Sequence, residues 1–261
     1  MLAGGVESAS TSTRPERAAF APASLGDPDM GFAADVLAEK AGVSRERQDA
    51  YAARSHALAA ATRDAGGFDD EVVPVGDVRR DERPRTGLTV DRLARLRPAF
   101  RPAVEGGTVT AGSSCGVNDG AAAVTVVDAD THRRLGVPGL RVLATATAGV
   151  DPNLPGLGLV PAAEQALDLA GLRVGDLDVV ELNEAFAGQV LACCDALCLD
   201  PSRVCVEGGA LALGHPWGAS GAVLLVRLFS QLVRAGRGRY GLAAIAVGGG
   251  QGVAMVVERC R

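Results

Sequence analysis

The chain has 261 residues, enough to bury a sizeable core in one large or two modest domains. With 48% apolar, 22% charged and only 3% aromatic residues it has a globular, soluble composition, and its 34 glycines imply a core built by close backbone packing rather than around large rings. A net charge of -5 without a basic stripe argues against a general nucleic-acid or membrane-surface role.

Residues 1–5 read as the end of a buried strand entering a glycine turn, an odd place for a fold to begin because nothing precedes it to complete the layer. From about residue 11 to 101 the chain is polar, Pro-containing and irregular, with one clear helix. Ser44 caps that helix, Glu46 lies in its first turn, and Gly66-Gly67 end it near Ala65. Residues 72–75 are a short extended piece. The arginines between 79 and 101 are interleaved with Asp77, Asp81, Glu82 and Asp91, which reads as a solvated mixed-charge face or, more sharply, as a docking surface for a ligand phosphate.

The texture changes at Thr108. Residues 121–127 form a continuous apolar run, expected to be a strand buried on both faces. Strands are predicted at 140–150, 178–182, 242–247 and 253–257, and helices at 161–172, 185–197 and 219–234, the last apolar almost all round and therefore buried. Residues 204–213 read as extended. Strands alternating with helices indicate a layered α/β domain.

The six cysteines contain no CxxC pair, so neither a metal site nor a disulfide framework is expected, and the default is buried thiols in a reducing compartment. No secretory leader opens the sequence, and the most apolar helix candidate, 219–233, is too short to span a bilayer and carries Arg227. A cytoplasmic protein is the expectation.

Four stretches could carry chemistry. In GGALALGHPWGASG, at 208–221, a histidine sits on a rigid Gly-His-Pro turn just before a buried helix, whose N-terminus favours a nearby thiolate or oxyanion. Asn183 opens NEAF after a buried strand, where it can cap a helix or hold a water or carbonyl oxygen. GGGQG, at 248–252, joins two strands and could line an oxyanion hole with backbone N–H groups. TAGSSCGVNDGAAA, at 110–123, has the small polar residues of a loop pressed against a ligand. Alone, each is equally a hydrogen-bonded turn, a cap or a glycine connection.

Together and in this order, with the opening AGGVES and the central QDAYAARSHALAAA, FDDEVVPV and RPRTGLTVDRLARLRPAF, they resemble the thiolases over essentially the whole chain. The resemblance implies a thiolase-like layered αβαβα fold: an incomplete N-terminal half (1–130) with an inserted loop domain (about 8–107), and a complete C-terminal half (131–261). It implies acyl transfer on acyl-CoA thioesters, by thiolysis of 3-oxoacyl-CoA or Claisen condensation of acyl-CoA, with coenzyme A as substrate, no permanently bound cofactor and no metal. By motif, His215 is the activating histidine, Asn183 positions an oxyanion water, and Gly248 gives an N–H to a second oxyanion hole. Phe186 walls the pantetheine tunnel, and Cys115 and Gly116 lie in the loop beside it.

The departures weigh against ordinary turnover. The family's nucleophilic cysteine lies upstream of the motif at which this sequence opens. Its second, acid/base cysteine is here Ala246. Cys205 and Glu207 stand where asparagines are usual, and Cys115 where serine is. Three expectations remain open at this point: an impaired thiolase-type acyltransferase, a non-catalytic acyl-CoA-binding protein or partner subunit of an active thiolase, and a fragment whose exposed sheet edges aggregate. As partners the resemblance allows a homo-oligomer or a heteromer with another thiolase-like subunit, with no nucleic acid and no membrane.

Overall fold

A computed structural model describes residues 1–12 and 19–260; residues 13–18 of the expected loop insertion lie outside the described residues. Two sheets and the helices between and around them build the fold. The larger sheet has the order β3 (Gly139–Gly149), β6 (Gln251–Cys260), β5 (Tyr240–Val247), β4 (Val179–Leu182). β6 is antiparallel to both neighbours, while β4 runs parallel to β5. The smaller sheet pairs β1 (Leu2–Glu7) with β2 (Gly120–Thr125) in antiparallel register, Leu2 opposite Thr125 and Glu7 opposite Gly120.

Helix α8 (Ser220–Phe229) lies between the sheets, packing on β4 and β5 on one side and on β1 and β2 on the other. It buries Leu224 and Leu228 against Val179, Ala243 and Val257. On the opposite face of the large sheet, α5 (Leu159–Ala170) packs on β3, β6 and β5, and α6 (Ala187–Ala196) lies beside it. The layers are therefore helix, sheet, helix, sheet. A sheet covered on both faces needs strands that are apolar on both, and Val179, Val180 and Leu182 are each at most 2% exposed. Close backbone approach replaces large rings: a Cβ at Gly252 would lie 1.9 Å from the Gly158 carbonyl oxygen, so α5 docks on β6 only because that position is glycine.

Ser44 caps α2 (Arg45–Asp64) as expected, its hydroxyl accepting from the Arg47 N–H at 3.2 Å, and the chain leaves the helix at Gly66 in the left-handed region. The central segment holds a further long helix that its sequence pattern does not announce, α1 (Met30–Lys40). Asp29 caps it through the Gly31 and Phe32 N–H groups. Four of its six buried residues are alanine or glycine, which carry little hydrophobic contrast, and it meets α6 where Gly188 allows the Ala38 methyl close. The one-turn helices α3 (Val90–Leu93) and α7 (Ala210–Leu213) and the short α4 (Ala129–Leu135) complete the set among the described residues.

Five expectations need correction. Residues 1–5 are not a buried strand end entering a glycine turn: Gly4 and Gly5 lie inside β1, whose residues alternate exposed and half-buried. The apolar run at 121–127 is not buried on both faces: β2 alternates half-buried with exposed residues, because α8 covers only one side of it. Residues 204–213 are not one extended segment. Val204 makes a single parallel bridge to Val180, positive φ at Cys205 and Gly208 turns the chain, and α7 follows. The helix at 219–234 is α-helical only to Phe229 and finishes in a π turn over Ser230–Arg234. The thiols also divide. Cys193, Cys194 and Cys205 are buried, but Cys198 is exposed and Cys115 and Cys260 are half-buried. No helix among the described residues is long and apolar enough to cross a membrane.

Candidate active site

Strand β4 delivers Asn183. The backbone N–H of Asn183 donates to the Ala244 carbonyl at 3.0 Å, carrying the parallel pairing one residue past the strand, and the side chain is 3% exposed. Its Nδ2 lies 3.2 Å from His215 Nε2. His215 is fixed from three other directions. Gly214 precedes it at φ +100°, where a Cβ would collide with the Asn118 side chain. The His215 N–H donates to the Gly116 carbonyl at 2.8 Å. Nδ1 is 2.6 Å from the Ser220 hydroxyl, in the first turn of α8.

These bonds select a tautomer. The Ser220 hydroxyl donates to the Pro216 carbonyl at 3.0 Å, which leaves its oxygen to accept from Nδ1–H. Nε2 then presents a lone pair, which the Asn183 amide donates to. Burial holds the imidazole neutral, lowering its pKa to about 4 against a weaker opposing pull from Glu7. A neutral ring can take a proton from a thiol at Nε2 once that thiol displaces the Asn183 amide from the lone pair.

The loop at 113–116 threads between this pair and the NEAF turn. Cys115 N–H donates to the Ala185 carbonyl, Ala187 N–H donates to the Ser113 carbonyl, both at 2.9 Å, and Ser114 forms a bridge with Phe186. Cys115, Gly116, Asn183, Phe186 and His215 are thus assembled by backbone bonds, although they come from three separate sequence motifs. Gly248 reaches the group only through a small, open, mainly apolar cleft of about 60 Å³, which it lines with Ala246, Val247, Ala185, Phe186 and Met30. The Cys115 thiol does not bond to His215, whose ring nitrogens are taken by Ser220 and Asn183, and burial pushes its pKa up to about 12.

Two features escape sequence reading. Ser220 is one, although a hydroxyl five residues after a histidine, at the start of a helix, is a readable signal. The other is Glu184, fully buried, which accepts from the Tyr51 hydroxyl at 2.9 Å, the Ser55 hydroxyl at 2.7 Å and the Leu211 N–H at 3.1 Å. Burial raises its pKa, and the Ser55 and Tyr51 bonds pull it back. Glu184 ties α2 to the turn that holds Asn183 and to the start of the segment that leads to His215. Tyr51 and Ser55 lie about 130 residues away in sequence, so no local pattern marks them.

The unusual residues near this site have partners of their own. Glu207 pairs with buried Arg227 and, at 2.8 Å, with Arg237, while Arg227 also pairs with Glu71 and stacks 4.7 Å from the Phe68 ring centroid. Cys205 adopts φ +46° and its thiol donates to the Leu182 carbonyl at 3.2 Å. Much of the arginine-rich face is exposed; Arg101 pairs with Glu39, and residues 77–82 with Arg63 border an open recess.

Comparison with known proteins gives the family of the fold. The model of the thiolase N-terminal domain matches residues 1–130 and that of the thiolase C-terminal domain matches residues 135–259. The acetyl-CoA acetyltransferase of Pseudomonas aeruginosa is 47% identical over 245 residues, which cover 90% of this chain and 61% of that protein. The crystal structure of human mitochondrial 3-ketoacyl-CoA thiolase in complex with CoA superposes with a TM-score of 0.89 at 38% identity, covering 100% of this chain and 71% of that one. The Bacillus anthracis acetyl-CoA acetyltransferase superposes at 0.85 and 37% identity, covering 99% and 71%. The chain thus spans about three-fifths of the length of the Pseudomonas relative. With both domain models matched and its layered α/β fold superposed along its whole length, the chain belongs to the thiolase family.

Proposed function

We propose that this chain serves a thiolase-type acyltransferase that acts on acyl-CoA thioesters, by thiolysis of a 3-oxoacyl-CoA or by Claisen condensation of acyl-CoA. The observation that carries this reading is the 3.2 Å contact between the Asn183 amide and the neutral His215 ring. In the proposed reaction His215 Nε2 takes the proton of a thiol, and the thiolate attacks a thioester carbonyl. Asn183 holds an oxyanion water, and the Gly248 N–H stabilises a second oxyanion. Phe186 and the Cys115–Gly116 loop flank the pantetheine arm of coenzyme A, which is a substrate rather than a resident cofactor. We place the division of the halves at residue 130/131, with the loop insertion over about 8–107.

Catalysis by this chain is proposed to be impaired. Ala246 stands where the family uses an acid/base cysteine, and a methyl group cannot exchange a proton. None of the six cysteines is hydrogen-bonded to His215. The same observation favours a second reading, a non-catalytic acyl-CoA-binding protein or partner subunit of an active thiolase. Met1, Leu2 and Val6 are 70–81% exposed on β1 and its start, which supports association, whether with a second copy or with another thiolase-like chain.

Calorimetric titration with coenzyme A, beside thiolysis of acetoacetyl-CoA, tests both readings in the wild type, Ala246→Cys and His215→Ala. Coenzyme A is expected to bind all three. Slow thiolysis, raised by Ala246→Cys and lost in His215→Ala, supports the acyltransferase; binding without any turnover selects the second reading. A folded chain that binds no coenzyme A overturns both.

A further inference from the structure

A second thiol–imidazole pair lies outside the site described above. Cys260 Sγ is 3.8 Å from His132 Nε2, and both residues are half-buried. The fold brings them together where β6 ends opposite the first residue of β3, Gly139. A Cβ at Gly139 would stand 3.0 Å from His132 Nε2 and 3.6 Å from Cys260 Sγ, so the missing side chain makes the room in which imidazole and thiol meet. His132 occupies the last turn of α4. The neighbouring arginines are engaged elsewhere, Arg133 by Asp130, Arg134 by Thr131 and Arg259 by the Leu232 carbonyl, so the imidazole is the group left in contact with the thiol. The carboxylates on the same elements are engaged, Asp130 by Arg133 and Glu258 by Arg141 and Arg239.

The other five thiols are built differently. Cys193, Cys194 and Cys205 are buried, and burial raises the pKa of each. Cys115 is likewise pushed up, to about 12. Cys198 is exposed but has no imidazole bonded to its sulfur. Solvent access and a base in contact coincide at Cys260 alone among the described residues.

We propose that Cys260 is a modification site, a nucleophilic thiol that exchanges with low-mass disulfides such as glutathione disulfide, with His132 as its base. The thiol gives its proton to His132 Nε2. The Cys260 sulfur attacks one sulfur of the disulfide, the original S–S bond breaks as the mixed disulfide forms, and the departing thiolate takes the proton from His132. One disulfide and one thiol become one mixed disulfide and one thiol, so no other oxidant is consumed.

The test is exposure of the whole chain to glutathione disulfide near neutral pH, quenched over time, with the modification of each cysteine read by peptide mass spectrometry. Cys260 is expected to react roughly tenfold faster than Cys198, and His132→Asn or His132→Gln to slow Cys260 by about tenfold while leaving Cys198 unchanged. Buried Cys193 reports on folding in the same digest, and the wild-type ratio of Cys260 to Cys198 needs no variant. Cys198 reacting as fast as Cys260 in the wild type, or an unchanged Cys260 rate in a folded His132 variant, overturns the proposal.

Discussion

The two sheets contain strands of similar sequence texture and very different surroundings. β4 is Val-Val-Glu-Leu and β2 is Gly-Ala-Ala-Ala-Val-Thr, both short and mostly apolar, yet all four residues of β4 are buried while β2 alternates half-buried and exposed. The difference lies in what covers them. β4 has α8 on one face and the α5–α6 side of the core on the other, whereas the β1–β2 ladder has α8 on one face only. An apolar run therefore states what a strand can tolerate; neighbouring layers decide whether it is buried.

The sharpest way to break this comparison is through α8, the layer both sheets share. Arg227 is 3% exposed and answers Glu71 and Glu207 together. Arg227→Met leaves buried carboxylates short of a partner and is expected to cost about 3–5 kcal/mol in urea unfolding, although Glu207 keeps Arg237. A cost under about 1 kcal/mol would mean that the cluster is hydrated and that α8 is held by its apolar face alone.

A smaller effect separates the sheets directly. Leu182, fully buried at the end of β4, is expected to cost about 3 kcal/mol on replacement by alanine, while Val6→Ala, at 70% exposure in β1, should change stability by less than about 0.5 kcal/mol. Equal costs, with the Val6 penalty growing with protein concentration, would show that the outer face of β1–β2 is covered in solution by another chain.

The third measurement concerns the charge that the covered sheet must accommodate. Burial pushes Glu181 up to about 7, against the pull of Arg227 and of the 2.5 Å bond from Gln231. A carboxyl whose folded pKa exceeds its unfolded one contributes stability that is complete below about pH 4.5 and lost as pH rises through about 7. His56 and His215, each lowered to about 4 by burial, act in the opposite sense, contributing above about pH 6.5 and losing it on acidification. The difference between wild type and Glu181→Gln cancels the histidines. Between pH 4.5 and 8 the wild type should lose on the order of 2 kcal/mol more than the variant. Parallel profiles would mean that Glu181 ionises normally.

Much of the candidate site is legible in the sequence, because its residues sit on turns whose chemistry is local. Gly214 needs a left-handed backbone and so marks the histidine turn, and Asn183 follows a strand whose apolar run is plain. Ser220 is within reach of such reading. Glu184 is not: its burial is made tolerable by Tyr51 and Ser55 on another helix, and adjacency to Asn183 says nothing of them. Helix α1 escapes for a different reason, since a face of alanine and glycine packs by closeness and not by hydrophobic contrast.

The order of strands and helices in the C-terminal half, the capped α2 and the glycine turns follow from the sequence itself, because propensity, capping and turn geometry act over a few neighbouring residues, while Asn183, His215 and Gly248 are singled out by their resemblance to the thiolase motifs. Tertiary structure alone decided that β2 is half open, that Arg227 of α8 is buried against Glu71 and Glu207, that Asn183 meets Nε2 of His215, and that Cys260 finds His132. Each of these depends on groups brought together from distant positions, and burial and hydrogen bonding are properties of that assembly rather than of any segment.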